Sequence, residues 1–168
     1  MDVATMMRRM EDVGAAVERE HDLDQLFRED APGVWRTMVA FTGGRRDIAE
    51  EAVAEAFARA LQHEAGIRDP IAWIYRTAFR IARAELKRDS RHGTAVDSGE
   101  EDATGTGELL RALRQLSPNQ RAAIVLRYEA DLPVDEVARR MGIAAPTVRV
   151  HLHRGRARLR ELLGTEEV

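Results

Sequence analysis

Residues 134–160 read VDEVARRMGIAAPTVRVHLHRGRARLR, and this stretch decides the architecture. Val134, Val137, Ala138 and Met141 recur at helical spacing and form the apolar face of a short helix. Gly142 follows where a left-handed turn residue belongs, and Ile143 is placed to plug the core behind it. A second helix begins near Ala145-Pro146 and runs to about Leu163. At about 100° per residue, Val148, Leu152, Gly155 and Leu159 fall within about one sixth of its circumference, a stripe that packs inward. Arg149, His153, Arg156 and Arg160 share the adjoining face, with Arg154 and Arg158 beyond them. Between Arg139 and Arg160 stand seven arginines and no acid. A helix-turn-helix with one apolar and one arginine-rich side fits the DNA major groove, where arginine grips guanine edges and phosphates. A basic face that is merely solvated is the plainer alternative, and the preceding helix, the glycine turn and the absence of acids favour DNA.

Upstream, Leu109, Leu113 and Leu116 open the same unit, and Ser117-Pro118-Asn119-Gln120 matches a capping box with proline at the first helical position. The helix it starts is expected to bury Ala123, Ile124 and Tyr128 or their neighbours. Residues 92–107, HGTAVDSGEEDATGTG, hold four glycines, four acids and no Lys or Arg, the composition of a flexible acidic linker. Before it, Asp69-Pro70 starts a helix with Ile71, Ile74, Ala78, Ile81 and Leu86 inward and Arg76, Arg80, Arg83, Lys87, Arg88 and Arg91 largely outward. Asp47 is expected to cap a helix from Ile48 to about Gln62, whose stripe is Ala49, Ala52, Val53, Ala56, Phe57 and Ala60. Leu23, Leu26, Phe27, Val34, Trp35, Met38 and Phe41 also recur at helical spacing, with an interruption expected near Pro32-Gly33. Met6, Met7, Met10, Val13 and Val17 suggest one more amphipathic helix at the start. Phe57 and Trp73 lie on apolar stripes and read as core.

The sequence therefore predicts an all-α protein of two small helical domains: an N-terminal helical extension over 1–21, a first domain over 22–91, the linker 92–107, and a helix-turn-helix domain over 108–168. The length of 168 residues and the 44% apolar fraction suit packed cores. Cysteine is absent, which removes disulfides, thiolate zinc sites and a cysteine nucleophile. Apolar runs fall far short of the ~20 residues of a membrane helix, and the N-terminus lacks a secretory pattern, so the expectation is a cytoplasmic protein without membrane insertion. The net charge of −3 hides alternating blocks: −6 over 1–66, +4 over 67–91, −4 over 92–107 and +3 over 108–168. Such blocks suggest separate surfaces for separate partners. No nucleophile–base pair, phosphate loop or metal cluster is visible, so an enzyme is not expected, nor any cofactor. His151 and His153 stand two apart on a helix and point different ways, which argues against a shared metal.

Several stretches together resemble the extracytoplasmic-function group of bacterial sigma-70 factors. Phe41-Thr42-Gly43 and Asp47 to Ala60 resemble the family's second region, and Arg68-Asp69-Pro70-Ile71-Ala72-Trp73-Ile74-Tyr75-Arg76-Thr77-Ala78 looks like its RDPRAWLYRIA segment. Leu113 to Arg121, Leu126-Arg127-Tyr128 and Thr147-Val148-Arg149 through Arg156 resemble its fourth region, so the match spans about residues 22–163. The resemblance implies a promoter-specificity subunit that binds core RNA polymerase, at the beta-prime clamp and the beta flap, and reads promoter DNA to start transcription. It places Glu50, Glu51 and Glu55 on the clamp, a role set against that of a solvated acidic face. It assigns Ile67, Arg68, Arg76, Arg80, Arg83, Lys87 and Arg88 to the melted minus-ten element, where trapping an extruded base and holding phosphates offsets unstacking. It assigns Arg149, Val150 and His153 to base reading at the minus-thirty-five element, and His151, Arg154 and Arg156 to its backbone.

Arg80 and Ile67 depart from the Asn and aromatic residue common in the family; Val150 and His151 replace Ser and Arg, and Ala144 and Pro133 replace the usual caps. Asp97, Glu100, Glu101 and Asp102 of the linker would mimic nucleic-acid charge inside the polymerase, or serve solubility alone. An anti-sigma factor that clamps both domains is a further implied partner. Two other readings remain: a stand-alone helix-turn-helix regulator with an N-terminal dimerisation module, and a helical adaptor that binds only proteins. DNA affinity across a salt series separates the adaptor from the other two.

Overall fold

The computed structural model describes the backbone of residues 3–63, 66–93 and 105–164, and side chains from Asp22 onward. The described residues form seven α-helices and no strand: α1 (Val3–Phe41), α2 (Arg46–Gln62), α3 (Pro70–His92), α4 (Thr106–Arg114), α5 (Pro118–Tyr128), α6 (Val134–Met141) and α7 (Ala145–Leu163). Helices α1 to α3 pack on one another, as do α4 to α7. The linker acids Asp97, Glu100, Glu101 and Asp102 lie outside the described residues, as do the side chains of Met6, Met7, Met10, Val13 and Val17.

The first unit is built on small residues. Ala49, Ala52, Ala56 and Ala60 of α2 are buried together with Val53 and Phe57. Ile74, Ala78 and Ala82 of α3 and Val34, Met38 and Phe41 of α1 complete that core. Alanine lets helix axes approach closely; Phe41 meets Phe79 edge-on at 4.8 Å, and the half-exposed Phe27 covers Phe57 edge-on at 5.0 Å. Trp73 packs against this core beside His63 but is only partly buried, short of the full burial expected for it.

Two local expectations fail here. Pro32 does not interrupt the chain, because α1 runs through it as one helix with the N-terminal residues from Val3. Proline inside a helix costs about 3 kcal/mol. Burial of Val34, Met38 and Phe41 in the following turns outweighs that cost, and Thr37 Oγ1 donates to the Gly33 carbonyl. Asp47 is not the cap of α2; Arg45 occupies that position without a capping side chain. Instead the Arg45 guanidinium holds both Asp47 (2.7 Å) and Asp89 of α3 (2.7 Å), tying the start of α2 to the end of α3. The hydrogen bonds from Arg45 keep the Asp47 carboxyl below the usual carboxylate range.

Other start signals act as read. Asp69 Oδ1 accepts from the Ala72 amide at 3.1 Å, with Pro70 at the first helical position. Ser117 and Gln120 form the reciprocal capping box. Replacing Ser117 with Ala should cost about 1 kcal/mol, read as a lower urea midpoint with unchanged slope. Leu113 and Leu116 are buried, but Leu109, in the first turn of the short α4, is exposed. Tyr128 is also exposed; its phenol oxygen accepts from Arg156 Nη1 at 3.2 Å and its ring lies under Arg127. Amphipathic tyrosine at a helix end keeps its polar tip wet.

Among the described residues the two units touch where α1 meets α4 and α5 and where α3 meets α6. Arg121 of α5 is buried, 9% exposed, and has no carboxylate partner among the described residues. Its Nη atoms donate to the Arg114 and Leu116 carbonyls within its own unit and to the Phe41 carbonyl of α1 at 3.1 Å. Phe41 and Arg114 end α1 and α4, so one cation caps the negative ends of two helix dipoles. Burial pushes the Arg121 guanidinium down to about 10, which leaves it charged at neutral pH. Beside it, a Cβ on Gly43 would lie 2.2 Å from Arg114 Cγ, and Gly43 itself has φ +66°, so only glycine fits this turn. At the second place Arg139 Nη1 pairs with Asp69 at 2.9 Å, and the Arg140 guanidinium lies 4.9 Å from the centre of the Tyr75 ring. A cleft of about 370 Å³ adjoins it, lined in part by Asp30, Arg36, Tyr75 and Arg140. Burial there raises the Asp30 carboxyl despite the charge of Arg140.

Candidate nucleic-acid interface

The second unit presents α7 as the sequence patterning requires. Val148 and Leu152 are buried and Gly155 lies against α5, where a Cβ would stand 3.0 Å from Ile124 Cγ1. A glycine at that crossing lets α7 lie close to α5. Gly142 ends α6 in the left-handed conformation at φ +69°, and the Ile143 amide reaches back to the Ala138 carbonyl at 3.1 Å. That closure fixes the turn between α6 and α7. Neither Pro133 nor Ala144 supplies a side-chain cap, so packing carries both helices.

Arg149, His153, Arg154 and Arg156 are exposed, as is Val150 at 45%. His151 is partly buried, since it lies about 60° round the helix from the Val148 stripe. The six residues are therefore not one face: Arg149, His153 and Arg156 stand together, Val150 and Arg154 continue round the outer side, and His151 flanks the core. Arg156 is held by Tyr128, while Arg149 and Arg154 have no ion-pair partner among the described residues. Such unpaired guanidinium groups are available for phosphate or base edges.

Helix α3 presents the other basic surface. Arg76, Arg80, Arg83, Lys87 and Arg88 are all exposed, and Arg88 is paired with Glu85 of the same helix. Arg80, Arg83 and Lys87 have no ion-pair partner among the described residues. Ile67 is partly buried and Arg68 exposed in the turn leading to Pro70. On α2, Glu50 and Glu51 are exposed, and Glu55 is half-buried and paired with Arg59 at 2.6 Å. Among the described residues no group of three His, Asp or Glu side chains is placed to hold a metal ion, and no helix is long and apolar enough to cross a membrane.

Residues 106–159 match the family model of sigma-70 region 4. The chain is 31% identical over 140 residues to an RNA polymerase sigma-E factor of Streptomyces antibioticus, covering 83% of this chain and 73% of that protein. It is 31% identical over 160 residues to the sigma factor CarQ of Myxococcus xanthus, covering 86% and 91%. It is also 31% identical over 159 residues to the extracytoplasmic-function sigma factor SigL of Mycobacterium tuberculosis, covering 83% and 88%. Among solved structures, CnrH in complex with the cytosolic domain of CnrY shares the fold at TM-score 0.70 and 20% identity, over 95% of this chain and 98% of that one. The sigma factor RpoE of Bartonella quintana, solved with the anti-sigma factor NepR, matches at TM-score 0.68 and 20% identity, over 87% and 99%. The chain belongs to the sigma-70 family of RNA polymerase sigma factors. Within that family it is a member of the extracytoplasmic-function group.

Proposed function

We propose that the chain binds core RNA polymerase in the cytoplasm, reads two promoter elements and helps open the duplex between them. In this reading α7 enters the major groove of the minus-thirty-five element, with Arg149, Val150 and His153 toward base edges and His151, Arg154 and Arg156 toward phosphates. Ile67, Arg68 and the α3 row of Arg76, Arg80, Arg83, Lys87 and Arg88 take the unpaired minus-ten strand. Glu50, Glu51 and Glu55 dock on the beta-prime clamp, and the second unit rests on the beta flap. An anti-sigma factor is a partner of the same surfaces, by analogy with the RpoE–NepR complex. The units divide near residues 22–91 and 108–168, with 92–107 as tether.

One observation carries the reading: the exposed cations of α7 lie on the face adjoining a buried Val148–Leu152–Gly155 stripe, so packing holds the arginine row in one orientation. Binding of promoter duplexes with the purified chain and core polymerase across a salt series tests it. Replacing Arg149 with Ala should weaken promoter binding by about 1–3 kcal/mol and relax preference at one base position. A footprint and salt slope unchanged from wild type would reject that assignment.

A further inference from the structure

We propose that Val150 determines specificity at one position of the minus-thirty-five element by reading the 5-methyl group of a thymine in the major groove, and that a 5-methylcytosine in its place is read the same way. The inference rests on the reading of α7 as the helix that enters that groove, and deepens it by naming the base feature recognised. Val150 is 45% exposed and is the one large apolar side chain exposed on α7 among the described residues. Taking about 100° per residue, it points about 170° away from the centre of the Val148, Leu152, Gly155 and Leu159 stripe, so it crowns the outer face. Pro146, Thr147, His153 and Arg154, three or four positions away along the helix, surround it and are all exposed. Arg149 and Arg156 stand to one side of this crown and Arg154 to the other. Cations on both flanks suit the two phosphate walls of a groove, and the crown between them then meets base edges. Val150 also lies in the second turn of α7, and the N-terminal residues of a recognition helix are those that reach bases.

The chemistry of the side chain narrows what it can read. Valine has no donor and no acceptor, so among the groups that base pairs present in the major groove it gains only from the thymine methyl. Over a cytosine it covers an amino group and offers it no partner, which adds a penalty to the missing contact. The serine common at this position in the family bonds to several base edges, and valine removes that freedom. Stability does not call for valine here. At this exposure it adds little to the core, and it is a weaker helix former than alanine or arginine. Its single strongly preferred helical rotamer holds both methyls in place before DNA arrives.

The probe is a promoter duplex whose start site run-off transcription has placed, bound by core polymerase carrying this chain. Each thymine of the minus-thirty-five element is replaced in turn by deoxyuridine, which deletes the methyl and keeps every hydrogen-bonding group. One replacement should weaken binding about four-fold, the worth of one buried methyl, and the others should change little. With cytosine at that same position, 5-methylation should tighten binding by about four-fold. Val150→Ser should bring both ratios to about one, a loss confined to one base position that a purely structural role does not produce. Should that variant lose helicity, Val150→Gln is the second, a better helix former without a methyl, and it should give the same ratios of about one. Uracil tolerated at every position by the wild-type chain would overturn the assignment, and so would wild-type ratios retained in the variants. Failure to bind core polymerase or any promoter would instead sink the sigma reading, whereas a promoter bound and transcribed with every uracil tolerated overturns the Val150 assignment alone.

Discussion

Replacing Val148 with Asp should unfold the second unit and abolish promoter binding. Val148 is fully buried where α7 meets the rest of the helix-turn-helix. Removing its side chain from the core forfeits about 2 kcal/mol. A carboxylate placed there has no partner, which costs several kcal/mol more unless it protonates. The sum is a large part of the roughly 5–15 kcal/mol that holds a whole domain together. Ellipticity at 222 nm should therefore fall by the share that α4 to α7 contribute, with α1 to α3 retained. Urea unfolding indistinguishable from wild type would show that Val148 does not sit in the core that positions the arginine row.

The second large effect concerns α3. Arg80, Arg83 and Lys87 are exposed and unpaired among the described residues, so replacing all three with Ala should leave stability within about 0.5 kcal/mol. Each phosphate contact to a single strand contributes about 0.7 to the slope of log affinity against log salt. Removing all three cations should flatten that slope by about 2 and weaken minus-ten strand binding by about 100-fold at 0.1 M salt. Open-complex formation, followed by permanganate reactivity of unpaired thymines, should fall in parallel, while binding to core polymerase persists. An unchanged slope would mean that the basic face of α3 is a solvated surface.

These two predictions draw on features that the sequence carries locally. The Val148 stripe follows from helical periodicity, and the Asp69 and Ser117 caps from chemistry within three residues of each helix start. The outward set of α3 follows from the same periodicity. Local reading fails where neighbours decide. Pro32 breaks a helix in isolation, yet Val34, Met38 and Phe41 lock the next turns into a core that keeps α1 continuous. Asp47 has the composition of a cap, but Arg45 bridges it to Asp89, 42 positions further along the chain. Leu109 and Tyr128 have the right periodicity and are nevertheless exposed.

The largest gap is the contact between units. Arg121 meets the Phe41 carbonyl across 80 positions, and Arg139 meets Asp69 across a similar span. Neither pairing has a period or spacing that sequence can display. Arg121 stands within the Ser117–Arg121 capping stretch, where an arginine after a capping box draws no notice. An arginine on an otherwise apolar helix, without an acid within helical reach, is the signal that sequence offers. Arg140 gives less, because Glu136 on its own helix, 3.8 Å away, offers it an ordinary surface pairing.

Run-off transcription with purified core polymerase, this chain and genomic promoter fragments tests the central claim most directly. The account predicts transcripts that start at defined sites and depend on the chain, disappear with Val148→Asp, and fall with the triple α3 variant. A chain that is folded yet neither associates with core polymerase nor starts a transcript on any fragment would contradict it.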